Sequence, residues 1–460
     1  MDLAVEKYNI HKFQLEDKKL EANKSGGWFG KKIWLKFRRI FHQESVDLDM
    51  NSSSFRAYND IMKYPLLLMR LLGLYHQKKD GWFLKAYPLA VIIFLLVGLG
   101  RFLSLFEFWY GKKESTADLI YKIITTLWCF IAVITGTIFF INQEFNSRDN
   151  KLVEDLSHFL NFLYSNKNFK KLKIRIYVYY ICGAIAAILN LLTGFFSIFE
   201  FEHKSVVFSS FLDIFNNQAW SNDNLTVKIL NRFLMAYESF FWVFTIDYFL
   251  SQCDMLEFIF RNLSLDFQNL INKDKMAGGF DKIILPSFEQ EFNQLRKHFF
   301  KLNKVVQQMD KCYNHLIGIS ILVYLAMILL LFYIMTLNNK GLNGVLIFLY
   351  PYWTLIAFVI ILLIVVNGTK FHEHSSNILE NLLEICNDGF SENFHFKVYL
   401  MVNKLTNNSP CLTVLGLINI KREFILTLFG SLLSYYLVAS QFKDSKNAAV
   451  NCQNNFNSTN

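Results

Sequence analysis

Five long runs without Asp, Glu, Lys or Arg constrain the fold of this chain more than any other feature. They occupy residues 123–143, 176–199, 313–339, 341–369 and 424–442. Each run has the roughly 17–25 residues that a helix needs to cross a hydrocarbon core about 30 Å thick. Of all residues, 53% are hydrophobic and 18% are charged, whereas a soluble domain has roughly 45–50% and about 25%. A soluble enzyme is therefore excluded as the default, and we predict a polytopic membrane protein.

Two further apolar runs, 86–110 and 229–252, are interrupted by charged residues. These are Arg101, Glu107, Arg232, Glu238 and Asp247. With both runs included, we predict an all-α fold with seven transmembrane helices. The alternative for the interrupted pair is a re-entrant or soluble-packed helix. The first residues are charged and lack the apolar core of a signal peptide, so no cleavable signal is expected.

The basic residues are distributed unequally between the segments that alternate along the chain. Of the 47 Lys and Arg residues, 37 lie in segments 1–85, 143–175, 253–312 and 368–422, and 6 lie in the alternate segments. Because basic residues concentrate in cytoplasmic loops, we predict a cytoplasmic N-terminus and an external C-terminus. G-protein-coupled receptors have the opposite orientation, which disfavours that class. The net charge of +9 is explained by topology, and no nucleic-acid partner is expected.

The spans and loops together predict how the chain is organised. In order, we expect a cytoplasmic N-terminal segment with an amphipathic helix (1–85), helices 1–4 (86–252), a cytoplasmic helical anchor (253–312), helices 5–6 (313–367), cytoplasmic anchor helices and a loop (368–422), helix 7 (423–442) and an extracellular tail (443–460). Glycosylation sequons at Asn224 and Asn457 fall in the predicted outer segments. Similar sequons also occur on the inner side, so the motif alone decides nothing.

Two cytoplasmic features point to packing and to the bilayer. Heptad spacing from Leu256 to Leu270 and from Phe288 to Leu316 predicts that helices 4 and 5 continue into the cytoplasm and pack there. They form either a hairpin within one subunit or an oligomerising platform. The basic, amphipathic segment 28–41 is typical of a helix that lies on an anionic inner leaflet. A calmodulin-like partner is the alternative for that segment.

The C-terminal run Ser434-Tyr435-Tyr436-Leu437-Val438-Ala439-Ser440-Gln441-Phe442 resembles the signature of insect gustatory receptors, which is Thr-Tyr, five apolar residues and Gln-Phe. Ser434 replaces the usual Thr. The segment 254–267, and Ser54-Phe55-Arg56 before Pro65, are similar to the sugar-sensing branch of that family. Sugar receptors usually carry Glu where this chain has Tyr436, so the branch is less well supported than the family.

This resemblance implies a tastant-gated, non-selective cation channel in the plasma membrane of chemosensory neurons. Four subunits, in a homo- or hetero-tetramer, would line the pore with helix 7. The predicted pore and gate residues are Ser434, Val438, Gln441 and Phe442, which share one helical face. The alternatives are an odorant-type receptor channel of the same architecture and a seven-helix receptor that signals through a G protein. We find no phosphate loop, zinc spacing or nucleophile triad, so neither catalysis nor a cofactor or metal is expected.

A tastant site, with a sugar as the suspected ligand, is predicted among polar and aromatic residues of the spans. Within run 229–252, Asn231, Glu238, Trp242 and Thr245 share one helical face. A carboxylate inside a membrane is costly and marks a functional candidate, and it can accept hydrogen bonds from a sugar diol while an aromatic ring packs against the sugar. Other spans contribute Tyr121, Thr125, Trp128, Asn190, Tyr324, and Tyr352 or Trp353. Two alternatives stay open: aromatic residues are abundant here, and Glu238 could pair with Arg101 or Arg232. Asp247 lies on another face and is interpreted as a structural partner.

Overall fold

The computed structural model describes residues 56–75, 82–104, 116–145, 148–164, 169–199, 225–276, 285–337, 344–385 and 390–457. Its helices are α1 (Arg56–Leu71), α2 (Trp82–Ser104), α3 (Thr116–Phe140, continued by a π-helical turn Ile141–Phe145), α4 (Arg148–Tyr164), α5 (Lys170–Phe199), α6 (Leu225–Met276), α7 (Leu285–Leu337), α8 (Gly344–Leu383), α9 (Glu392–Asn407) and α10 (Arg422–Asn457). Strands β1 (Thr413–Val414) and β2 (Ile418–Asn419) pair antiparallel between α9 and α10. Contacts group Ala57–Asn460 into one compact unit, which is the unit described below. The predicted amphipathic helix 28–41 lies outside the described residues.

The seven predicted spans fall on helices α2, α3, α5, α6, α7, α8 and α10, which confirms the all-α architecture. Within the described residues, four helical stretches are long and apolar enough to cross a membrane. They are Lys122–Glu144, Lys170–Leu192, Ser287–Met335 and Tyr350–Leu383. A shorter apolar stretch, Ala86–Gly100, lies in α2. The count of seven spans and their orientation stay predictions.

Helix α6 lies at the centre of the unit. Every residue from 241 to 256 is buried, and α6 contacts α5, α8, α7, α3, α4 and α2. A helix that is buried on all sides needs neither a lipid-facing nor a water-facing stripe. Helix α5, in contrast, exposes an apolar stripe at Ile174, Val178, Ile181, Ile185, Ile188 and Leu192. That stripe has the composition expected of a surface that contacts acyl chains.

Helices α6 and α7 are much longer than a membrane is thick. They contain 52 and 53 residues, which corresponds to about 80 Å each at 1.5 Å per residue. Both therefore extend beyond the apolar core, as the heptad spacing predicted. In the extensions, Phe260 packs on Phe299 with ring centroids 6.4 Å apart, and Phe267 packs on Phe292 at 6.1 Å. The hairpin within one subunit is thus present, and the oligomerising platform stays a prediction.

A buried carboxylate, Asp149 of α4, joins this helix to α6 and α7 close to α1. The hydroxyl of Tyr313 donates to Asp149 Oδ1 at 2.9 Å, and that of Tyr248 donates to Oδ2 at 3.4 Å. Beside them, Gln252 Nε2 donates to the hydroxyl oxygen of Tyr58 at 2.9 Å. Burial raises the pKa of Asp149 to about 6, although the hydrogen bonds to the carboxylate act to lower it. Keeping the Asp149 side chain charged in the folded protein therefore lowers the stability of the fold.

We expect Asp149→Asn to stabilise the protein most at pH 7.5, about half as much near pH 5, and little below about pH 4. Because the folded state binds a proton near pH 6 and the unfolded state only near 4, stability from this group falls as the pH rises through that window and stays low above it. The neutral amide keeps the size of the side chain and removes the buried charge. The measurement is the melting temperature of detergent-solubilised protein across this pH range. The exposed neighbour Glu154 serves as a control, since Glu154→Gln should leave the profile unchanged.

Candidate functional site

Five of the predicted ligand residues line one pocket between five different helices. They are Trp128 of α3, Asn190 of α5, Trp242 of α6, Tyr324 of α7 and Trp353 of α8. Apolar side chains complete the wall, namely Ile131, Met327, Ile356 and Ala357. About 350 Å³ of space that protein atoms do not fill, part of it open to the surroundings, lies along this lining.

The aromatic rings of the pocket form a continuous chain of contacts. Trp128 meets Trp242 at a centroid distance of 5.9 Å and an interplanar angle of 73°, and it meets Trp353 at 5.9 Å and 87°. Trp242 also packs on Tyr324 at 5.7 Å. Edge-to-face pairs of this kind hold rings in fixed orientations. One polar contact adds to them, because Trp353 Nε1 donates to Asn190 Oδ1 at 3.3 Å.

Three polar atoms of these lining side chains have no hydrogen-bond partner in the described part of the chain. They are Trp128 Nε1, Trp242 Nε1 and the hydroxyl of Tyr324, and all three atoms are buried. Leaving a buried polar group without a partner costs about 1–3 kcal/mol. An indole N–H can only donate, and a phenol can also donate. Each of the three groups can therefore donate a hydrogen bond, and none of the three atoms is exposed in the single chain.

Glu238 does not line the pocket, contrary to the expectation that it would meet the ligand beside Trp242. It lies one helical turn, about 6 Å, from Trp242 along α6 and faces α2 and α3. Its Oε1 accepts a hydrogen bond from Cys129 Sγ at 3.0 Å, and a Cβ at Gly98 would lie 3.0 Å from the same atom. The glycine leaves room for the carboxylate there. The side chain is 2% exposed, so it is enclosed by protein.

The other predicted ligand residues are placed as follows. Thr125 and Thr245 are buried but do not line the pocket, and Thr245 Oγ1 donates to the carbonyl of Phe241 at 2.7 Å. Of the pair Tyr352 and Trp353, only Trp353 lines it. The side chains of Tyr121 and Asn231 lie outside the described residues, as does that of Arg101. Asp247 is packed against Gly183 of α5, where a Cβ would overlap its carboxylate.

The predicted pore residues lie on α10. Ser434 Oγ donates to the carbonyl of Gly430 at 2.8 Å, and Ser434, Val438 and Gln441 are exposed in the single chain. The side chains of Phe442 and Asn457 fall outside the described part, as does all of Asn224. Ring contacts hold α10 on its neighbours, with Tyr436 5.5 Å from Phe332 of α7 and Phe429 5.1 Å from Phe358 of α8.

Sequence reasoning missed the four apolar lining residues, although a signal for them exists. Ile131 and Met327 each lie three residues after a predicted aromatic residue, Trp128 or Tyr324. Ile356 and Ala357 follow Trp353 by three and four residues. Positions three and four apart share a helix face, so extending each predicted residue along its helix would have identified them.

Residues 62–446 match the sequence profile described as "7tm Chemosensory receptor". The chain belongs to this family. No curated protein sequence is detectably similar to it. Its fold is similar to that of the insect olfactory receptor OR5 from Machilis hrabei in complex with eugenol, with a TM-score of 0.62, 12% identity, and coverage of 85% of this chain and 100% of that one. A second structure of OR5 from Machilis hrabei has a TM-score of 0.55 and 12% identity, with coverage of 84% of this chain and 98% of that one.

Membership in the chemosensory receptor family confirms the expectation of a chemoreceptor, while the gustatory type that residues 434–442 indicated stays a prediction. It also confirms the expectation of a receptor in place of an enzyme. The sugar-sensing branch stays a prediction. Among the described residues, no group of three or more His, Cys, Asp or Glu is arranged to hold a metal ion.

Proposed function

We propose that this chemosensory receptor is a ligand-gated cation channel whose ligand binds in the pocket formed by Trp128, Asn190, Trp242, Tyr324 and Trp353. The observation that carries the proposal is the cluster of three buried, unsatisfied polar groups on an aromatic wall. Such groups are costly to the empty protein, and a bound acceptor would satisfy them. The pocket lies between membrane helices, where a small apolar molecule can enter.

The chemistry of the lining favours a small aromatic molecule with an oxygen acceptor. Indole faces supply flat apolar surface, and the unsatisfied groups can donate to a carbonyl or ether oxygen. OR5 was solved in complex with eugenol, and we propose a ligand of comparable size and character here. A sugar ligand has less support, because Glu238, the carboxylate invoked for a diol, is enclosed beside Cys129.

The receptor type and the pore rest on other observations. The Gln441-Phe442 ending supports a gustatory receptor, and the odorant type is the alternative. Side chains on α10 such as Leu426 and Leu433 are exposed in the single chain at 75% and 60%. Apolar residues left uncovered in this way support a pore formed by α10 of four subunits.

The distribution of basic residues supports a receptor whose N-terminus is cytoplasmic. In this orientation, Asn224 and Asn457 would be glycosylated on the outer side of the plasma membrane of a chemosensory neuron. The signalling step would be the passage of cations through the channel itself.

We expect acetophenone to activate the channel more strongly than α-methylstyrene, which has the same shape but replaces the carbonyl oxygen with a carbon. Losing one hydrogen bond of about 0.5–1.5 kcal/mol should raise the half-maximal concentration about three- to tenfold. Tyr324→Phe should reduce the difference between the two compounds. The measurement is calcium imaging and patch-clamp current in heterologous cells that express this chain alone. Equal potency of both compounds, or a response to sucrose alone, would contradict the proposed ligand class.

We expect Trp242→Ala to weaken activation by acetophenone about tenfold or more, since it removes a central ring of the wall. Glu238→Gln should leave the half-maximal concentration within about twofold, because its carboxylate lies outside the pocket. Surface labelling of both variants provides the control for expression. A large loss of potency in Glu238→Gln with a normal response in Trp242→Ala would place the ligand on the α2–α3 side of α6.

We expect Phe442→Ala to raise the current that flows without ligand. A smaller ring of side chains at the outer end of the pore dewets less readily, so the closed state is less effective. Gln441→Ala should change ion preference or conductance. Single-channel recording distinguishes the two effects. If both variants reach the surface with wild-type basal current and permeation, α10 does not line the pore at this level.

A further inference from the structure

The short hairpin formed by β1 and β2 joins α9 to α10 and is attached to both α7 and α8. We propose that this hairpin transmits a displacement of α7 and α8 at the pocket to the first turn of α10, with Asp310 and Gly318 as positioning residues. The proposal rests on the proposed function and concerns how the same site is coupled to the pore. Four contacts carry it.

The first contact is polar and fixes β1 on α7. Asp310 Oδ1 accepts hydrogen bonds from the backbone N–H of Thr413 at 2.6 Å and from its hydroxyl at 2.8 Å. The hydroxyl also lies 3.0 Å from Asp310 Oδ2. One turn further along α7, the carbonyl of Asn314 accepts from the N–H of Leu415 at 3.1 Å. Bonds of this type to a carboxylate are short and directional, so β1 must follow this part of α7.

The second contact seats the tip of the hairpin on Gly318. Leu415 and Gly416 have φ values of 54° and 73°, and the N–H of Leu417 donates to the carbonyl of Val414 at 3.0 Å. A leucine in this region of φ is uncommon and persists only where its surroundings hold it. Here the side chain of Leu415 lies against Gly318, where an added Cβ would overlap it. Because Gly318 has no side chain, Leu415 can pack against α7 there, and this contact helps to stabilise an otherwise unfavourable turn.

The third and fourth contacts attach the end of the hairpin to α8. Ile420 is fully buried, and a Cβ at Gly368 would lie 3.3 Å from its Cγ2. Arg422, the first residue of α10, forms an ion pair with Glu373, with Nε 2.7 Å from Oε1. The start of α10 therefore lies against α8 through the buried side chain of Ile420 and an exposed ion pair, while the tip of the hairpin is bound to α7. A relative shift of these two helices would strain the hairpin and move α10.

The same two helices line the pocket. Tyr324 lies six residues after Gly318 on α7, a distance of about 9 Å along the helix. On α8, Ala357 lines the pocket eleven residues before Gly368, or about 16 Å. A continuous helix carries a displacement at one level to the other. A ligand that separates α7 from α8 at Tyr324 and Ala357 would act on the hairpin through Gly318 and Gly368.

The first test separates opening from binding. In the full chain, Gly318→Ala should lower the maximal acetophenone current about tenfold at wild-type surface level, with little change in half-maximal concentration. Adding Leu415→Gly, which removes the overlapping side chain and suits the positive φ, should restore the current. Gly100→Ala is the control, because nothing lies within 4 Å of the added methyl. Currents of Gly318→Ala that equal those of Gly100→Ala would overturn the proposal.

The second test needs neither a ligand nor a current. Ile131→Trp fills the pocket from α3, which carries none of the four contacts, and Ala357→Trp is the second variant if the first does not fold. Hydrogen exchange of residues 412–425 in purified full-length protein should change at least twofold in the filled variant, and adding Gly318→Ala should abolish that change. Unchanged exchange at 412–425, with altered exchange around the pocket, would overturn the link. If no current is ever recorded from this protein, but filling the pocket still changes hydrogen exchange at residues 412–425, the proposed function is refuted and the link between pocket and hairpin is supported.

Discussion

The enclosure of α6 by its neighbours is the constraint on which the rest of the structure depends. A helix surrounded by protein can find partners for its polar side chains only within the bundle, and a group such as Trp242 Nε1 that finds none there stays unsatisfied. Asp254 of α6 is fully buried, and its Oδ1 lies 3.2 Å from Arg175 of α5 and 3.6 Å from Lys370 of α8. Removing one partner from such a buried set would leave an uncompensated charge. The buried carboxylate of Asp254 therefore helps to hold α5 and α8 beside α6.

This enclosure explains which parts of the fold the sequence could predict. The absence of charge over twenty residues and the heptad spacing are properties of a single helix, so the helices and the extensions of α6 and α7 could be predicted. The neighbours that Glu238 contacts could not be predicted in this way. Helical spacing placed it with Trp242, but whether that angle meets a pocket or Cys129 depends on how α2 and α3 pack. Five residues expected at the ligand site do line one pocket, namely Trp128, Asn190, Trp242, Tyr324 and Trp353, and ligand binding there stays a prediction.

Three glycines lie at close contacts between distant segments, and sequence reasoning could not predict these contacts. Gly98, Gly183 and Gly318 each face a side chain from a distant segment, namely Glu238, Asp247 and Leu415. In each case the partner side chain occupies the space that a side chain at the glycine position would need. Interiors are packed closely enough that such gaps are filled, but only the three-dimensional arrangement shows by which residue. A single sequence contains the two members of each pair without any sign that they meet.

Helices α6 and α10 differ in burial, and this difference indicates which of the two can move more easily. Residues 241–256 of α6 are all buried, whereas most described side chains of α10 are exposed in the single chain. Elements with few packed contacts open or shift at lower cost than enclosed ones. The buried part of α6 can therefore stay in place while the outer helix changes position. Asp310 and Gly318 attach the hairpin to α7, and α10 begins at Arg422, three residues after β2. The hairpin therefore holds the first turn of α10, while ring contacts of Phe429 and Tyr436 hold the helix further along.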